Sequence, residues 1–302
     1  MIRLRLKGRL GNQLFIYAFA KAIKKKFGQE VLIYDRTDEK NTMWHSHLNR
    51  FKLSRDIKFT NKKKDVMVFS NKALALFIID RIYMKFNSNR SIYNRQCKNF
   101  DNNIKNGLFL LMDGYHEFPS NIPSNLFCDG YFQSEKYFYD IREDLLNELI
   151  PKDELNSNEK LFLDSIKQSE SVCLTIRLGD YINNSAHQVC TKDFYFMAMK
   201  KMKKLYPNCK FFVFSDEIKK ASKVFDFPYK VIYDDGQSKD AVSLYIMSHC
   251  KHFIISNSSF SWWAQYLSQN NNKTVIAPDR WYAKDIPCDI MQQNWEIVSC
   301  EE

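Results

Sequence analysis

The first residues, Met1-Ile2-Arg3-Leu4-Arg5-Leu6, alternate apolar and charged positions, the period-two pattern of a strand. Residues 14–27 carry apolar side chains at 14, 15, 18, 22 and 23, a helical spacing. Between them, Gly8-Arg9-Leu10-Gly11-Asn12-Gln13 reads as a glycine-containing turn that opens an α/β unit. A second strand is expected at 31–34. From 35 to 101 the pattern is irregular, polar and aromatic, with one helical stretch at 72–86. Strands follow at 108–112 and 125–129, then a helix over 135–150 with Ser134 as its N-cap and Pro151 as its stop.

The polar stretch 152–159 reads as a linker, because the rhythm changes after it. Strands at 171–176, 210–214, 229–233, 252–255 and 274–277 alternate with helices at 193–205, 240–249 and 259–268. Five strands with helical crossovers predict a parallel Rossmann-like sheet. The half before the linker looks similar but less regular. The expected class is therefore α/β, with domains at 1–151 and 152–302.

Two stretches of the second half suggest chemistry. Val172 to Ile176 form a continuous apolar run, as in a strand covered on both faces, and the chain then presents Arg177 before turning at Gly179. Ligands of open α/β sheets bind outside the carboxyl ends of strands, where a planar, permanently charged fork suits a phosphate. A salt bridge beneath a loop would explain the same arginine. The strand at 252–255 runs into Ser256-Asn257-Ser258-Ser259 and a helix opening with Phe260. Hydroxyls and N–H groups at a helix start make an anion cradle, although one cap needs only one such residue. Asp216 follows the strand at 210–214 on the same edge. In the first turn, Gly11 allows close backbone approach, and Asn12 and Gln13 offer amides.

The chain's 302 residues are 45% hydrophobic and 15% aromatic, enough for a substantial core. A formal charge of +10 calls for an anionic partner: nucleic acid, an acidic membrane face or a phosphorylated ligand. The lysines fall in short separate clusters with no zinc-finger or RNA-binding signature, which argues against nucleic acid. Eight cysteines without a C-x-x-C pair suit free thiols in a reducing cytoplasm. No signal-peptide h-region opens the chain, and the longest apolar run, 73–79, is too short to span a bilayer. A cytoplasmic location is expected, compatible with peripheral attachment to an anionic membrane face. His45 and His47 lack a carboxylate or cysteine at ligand spacing, and no D-x-D motif occurs, so no metal site is expected.

Four ordered motifs together resemble the α-1,2-fucosyltransferases of glycosyltransferase family 11. They are Gly8-Arg9-Leu10-Gly11-Asn12-Gln13-Leu14-Phe15; Gly130-Tyr131-Phe132-Gln133-Ser134-Glu135-Lys136-Tyr137-Phe138; Arg177-Leu178-Gly179-Asp180-Tyr181; and Ser256 through Trp263, followed by Val275-Ile276-Ala277-Pro278. The resemblance implies a GT-B architecture, two Rossmann-like domains facing a cleft: an acceptor-side domain, then a nucleotide-sugar domain. It also implies GDP-fucose as donor, inversion at the anomeric carbon, no metal, and a galactose-terminated glycan as acceptor. The family's central motif reads His-x-Arg-Arg-Gly-Asp-Tyr; here Thr175 replaces the histidine and Leu178 the second arginine. Ser243 stands where the family carries an acidic residue associated with guanine, with Asp240 one turn earlier. Asp180 and His187 are the ionisable groups nearest Arg177 in sequence that could serve as base, and Asn12 could position either substrate.

Overall fold

The computed structural model describes residues 1–40, 45–179 and 185–300 and divides them into two compact units. The first comprises Met1–Leu149 together with Asp285–Ile290; the second comprises Ile150–Lys284 and the chain from Met291 onward.

In the first unit, β1 (Ile2–Arg5), α1 (Leu10–Phe27) and β2 (Val31–Tyr34) follow the expected order. Helix α1 begins four residues earlier than the apolar spacing predicts. The Arg9 carbonyl accepts the N–H groups of Asn12 and Gln13, at 3.0 and 3.1 Å. Gly11, Asn12 and Gln13 thus form the first helical turn rather than a loop. The region from 35 to 101 is more ordered than its pattern suggests. It contains β3 (Ile57–Thr60), α2 (Lys63–Val66), α3 (Asn71–Phe86), α4 (Asn89–Lys98) and α5 (Phe100–Lys105). β3 is an edge strand with Lys58 and Phe59 exposed, so it lacks a clean buried alternation. β4 (Leu108–Leu111) and β5 (Leu126–Gly130) complete a parallel sheet of order β3-β2-β1-β5-β4. The single helix expected over 135–150 is instead two 3₁₀ turns, Glu135–Tyr137 and Tyr139–Ile141, followed by α6 (Arg142–Glu148). The Ser134 hydroxyl accepts from Lys136 N at 3.3 Å, which favours the tighter turn.

In the second unit, α7 (Ser157–Lys167) starts inside the stretch expected to be a linker, behind an Asn156–Glu159 capping box. Next come β6 (Ser171–Ile176), α8 (Lys192–Leu205), β7 (Lys210–Ser215), α9 (Ile218–Val224) and β8 (Val231–Tyr233). The chain continues with α10 (Asp240–Ser248), β9 (His252–Ile254), α11 (Ser259–Tyr266), β10 (Val275–Pro278) and β11 (Glu296–Val298). Short α9 and mostly exposed β11 carry too little pattern to be predicted. Among the described residues the sheet order is β11-β10-β9-β6-β7-β8, parallel throughout. β6 is buried along its whole length between β9 and β7, as its continuous apolar run requires. The residues that follow it therefore emerge at the centre of the sheet's carboxyl edge. All eight cysteines are free thiols.

Candidate functional site

Arg177 leaves the end of β6 and is held from the neighbouring strand. Its Nη1 lies 3.1 Å from Asp216 Oδ2, with both side chains largely buried at 17% and 18% exposure. Asp216 Oδ1 also accepts from Leu178 N–H, and Oδ2 from Gly179 N–H, each at 3.0 Å. A Cβ on Gly179 would sit 2.5 Å from that same oxygen, so any other residue there would push the carboxylate away from the turn. Asp216 is thereby a clamp on the Arg177 turn. Its carboxylate meets the guanidinium and both N–H groups of this turn.

The other neighbour, β9, supplies a second tie. Thr175 Oγ1 accepts from Ser256 N–H at 2.9 Å, and Ser256 Oγ lies 3.1 Å from Ser261 Oγ. Asn257 Nδ2 donates to the His187 and Trp281 carbonyls, both at 2.9 Å. Thr175, Ser256 and Asn257 are each nearly fully buried, so their side chains brace the edge rather than face a ligand. Small polar residues serve a brace as readily as a cradle. The groups left at the start of α11 are Ser258, Ser259 and Phe260. Ser258 is the N-cap residue without a capping side-chain bond, and the first-turn N–H groups have no intrahelical acceptor. Trp262 and Trp263 behind them are core. The Asn257 bond also brings His187 to this edge, with its ring 5.4 Å from that of Tyr282. Asp240 opens α10 and accepts from Ala241 N–H at 2.8 Å; α10 packs along α11. Asp180 lies outside the described residues.

In the first unit, two of the sequence motifs meet around Asn12. Gly8 has φ +65°, and a Cβ there would fall 2.3 Å from Asn12 Nδ2. Gln133 Nε2 donates to Asn12 Oδ1 at 2.8 Å. Gln133 is aimed by its neighbours. A Cβ on Gly130 would collide with the Leu111 carbonyl at 1.9 Å, and Phe132, at φ +53°, stacks its ring 3.8 Å from that of Phe19. Gln13, by contrast, is a structural tie. Its Nε2 donates to the Gly8 and His45 carbonyls at 3.0 and 2.9 Å, its Oε1 accepts from His47 N–H at 2.9 Å, and it is fully buried. Gly11 is buried inside the same helical turn.

Sequence reasoning did not single out Asp129, whose side chain is wholly buried at the end of β5. Arg5 Nε lies 3.1 Å from it, Lys7 Nζ 2.5 Å and Arg81 Nη1 2.9 Å. The signal was present: an aspartate inside the apolar run of a strand demands cations beside it. Burial would raise the Asp129 carboxyl, but Lys7, Arg5 and Arg81 outweigh it and hold it well below the usual carboxylate range. Burial lowers the Lys7 ammonium to about 8 from 10.5, against the pull of Asp129. Between those two values the unfolded chain binds the extra proton, so stability rises with pH through that window. The melting temperature of the natural protein should therefore climb relative to that of Lys7→Met between pH 8 and 10.5. Parallel melting curves across that range would refute the assignment.

Residues 1–299 match the model of Glycosyl transferase family 11. An Alpha-1,2-colitosyltransferase of Escherichia coli is 30% identical over 295 residues, covering 93% of this chain and 92% of that protein. The O-antigen biosynthesis glycosyltransferase WbnK of Escherichia coli is 28% identical over 305 residues, covering 96% and 98%. A Galactoside 2-alpha-L-fucosyltransferase of Caenorhabditis elegans is 29% identical over 179 residues, covering 55% and 50%.

Proposed function

Since the chain belongs to glycosyltransferase family 11, a family of GT-B architecture, we propose that it transfers L-fucose from GDP-fucose to the 2-hydroxyl of a galactoside. The acceptor in this reading is a surface glycan, as the O-antigen role of WbnK suggests. The observation that carries it is the clamped Arg177 at the end of β6, in the middle of the carboxyl edge and next to β9, from which the chain leads into the uncapped start of α11. As the bond from the anomeric carbon to the diphosphate breaks, negative charge grows on the leaving oxygen. A guanidinium already fixed in place stabilises that charge more in the transition state than in the ground state. The N–H groups of Ser259 and Phe260 meet the remaining phosphoryl charge, with no metal required. Asp216, Thr175 and Ser256 act by positioning. Asp240 is the group this reading assigns to the base of the nucleotide.

On the acceptor side, Asn12 has its Oδ1 held by Gln133, and its Nδ2 donates to no protein group among the described residues. That amide is the group we assign to orienting a sugar hydroxyl. Inversion needs a base opposite the leaving group, and His187 and Asp180 are the candidates. An imidazole there would take the acceptor's proton and pass it to solvent.

The 30% identical colitosyltransferase favours a second reading, with GDP-colitose as donor. Colitose is fucose without its 3-hydroxyl. A site that hydrogen-bonds a hydroxyl rejects the sugar lacking it by about 10⁴-fold, whereas an apolar pocket rejects an added hydroxyl by only about 10²-fold. Product analysis with both donors over a galactoside panel therefore separates the readings. A strong preference for GDP-fucose supports the first, and comparable or reversed use supports the second. Failure to turn over either donor, with glycan binding retained, would leave a non-catalytic glycan-binding protein.

A further inference from the structure

We propose that the outward face of α3 docks the protein on the surface of an anionic lipid bilayer. The inner face of this helix is ordinary: Ala73 and Phe77 pack on Leu108, Leu110 and Phe127. Its outer face is not. Leu74 is 43% exposed, Ile78 47%, Ile79 49%, Ile82 53% and Phe86 81%, with Val68 just ahead of the helix at 51%. At about 100° per residue, the five helical side chains fall within one arc of about 140°. Single exposed apolar residues are common on any protein, but five on one helix face make a contiguous patch.

Charge identifies what covers it. Residues 61–90 hold Lys62, Lys63, Lys64, Lys72, Arg81, Lys85 and Arg90 against Asp65 and Asp80, which is half of the chain's formal +10. Asp80 is buried and lies 2.7 Å from Arg81, and Arg90 pairs with Asp285, so the outward charge of this stretch is carried by its lysines. By the same spacing Lys72 falls about 20° outside the apolar arc and Lys85 within it, near its Leu74 edge, and both are exposed; Lys62, Lys63 and Lys64, a few residues before the helix, are exposed as well. An apolar strip with one lysine at its edge and another within it matches the headgroup boundary of an anionic bilayer, where long lysine stems reach the headgroups. A second copy of the same face fits poorly, because a two-fold contact would bring these lysines together. No helix among the described residues is long and apolar enough to cross a membrane, so the contact is a surface one.

The test is co-sedimentation of the full chain with vesicles of equal parts phosphatidylglycerol and phosphatidylcholine, against phosphatidylcholine alone, at physiological salt. The natural protein should bind the anionic vesicles only. Combined Ile78→Gln, Ile82→Gln and Phe86→Gln should weaken that binding at least about tenfold, with an unchanged melting temperature; Lys72→Gln with Lys85→Gln should weaken it too. Three results would overturn the proposal: no binding of the natural protein to anionic vesicles, undiminished binding by the triple variant, or a solution dimer that the triple variant dissolves in place of any vesicle binding.

Discussion

Arg177→Ala lowers kcat by about 10²- to 10³-fold, the usual cost of losing one preorganised group that meets developing charge. The substitution removes the cation but spares the fold. β6 is held by its backbone ladder and by apolar burial on both faces, and neither depends on the guanidinium. Asp216 keeps the Leu178 and Gly179 N–H groups, so the turn retains two of its three contacts with that carboxylate. The variant should therefore melt close to the natural protein while transferring almost no sugar. Arg177→Lys separates charge from geometry: an ammonium is a point charge without the planar fork, and should recover only part of the rate. Transfer by Arg177→Ala within a few-fold of normal would remove the arginine from the mechanism.

Asp129→Asn is the substitution with the largest expected effect on stability, about 3–5 kcal/mol, because it leaves buried cations without their carboxylate. Arg5, Lys7 and Arg81 converge on that one side chain, and Asp80 remains as a partner for Arg81 alone. Urea unfolding should show the loss as a lower midpoint, and adding Lys7→Met should restore part of it by removing the most buried cation. A loss below about 1 kcal/mol would mean that water reaches the cluster and screens it.

The strand leading to Arg177 was legible in the sequence because a strand buried on both faces writes itself as an unbroken apolar run. The direction of the polar side chains beside it was not. Ser256, Asn257 and Gln13 were singled out for the hydrogen bonds they could offer a ligand, and the fold uses those bonds internally. Whether a small polar residue braces or binds depends on partners far along the chain: Thr175 is 81 residues from Ser256, and Arg5 is 124 from Asp129. The apolar run at 73–79 announced a helix, yet nothing in its spacing told which residues the sheet would cover.

One short stretch of chain limits how the protein can be divided. Asp285–Ile290 belongs to the first unit although most of the second unit precedes it in sequence. There Asp289 lies 2.7 Å from Lys136 Nζ and accepts the Ser134 hydroxyl, while Asp285 pairs with Arg90. A fragment ending near residue 149 lacks both aspartates, and a fragment beginning there carries a segment that packs with the other unit. Neither half, cut at the obvious place, would be a whole folding unit.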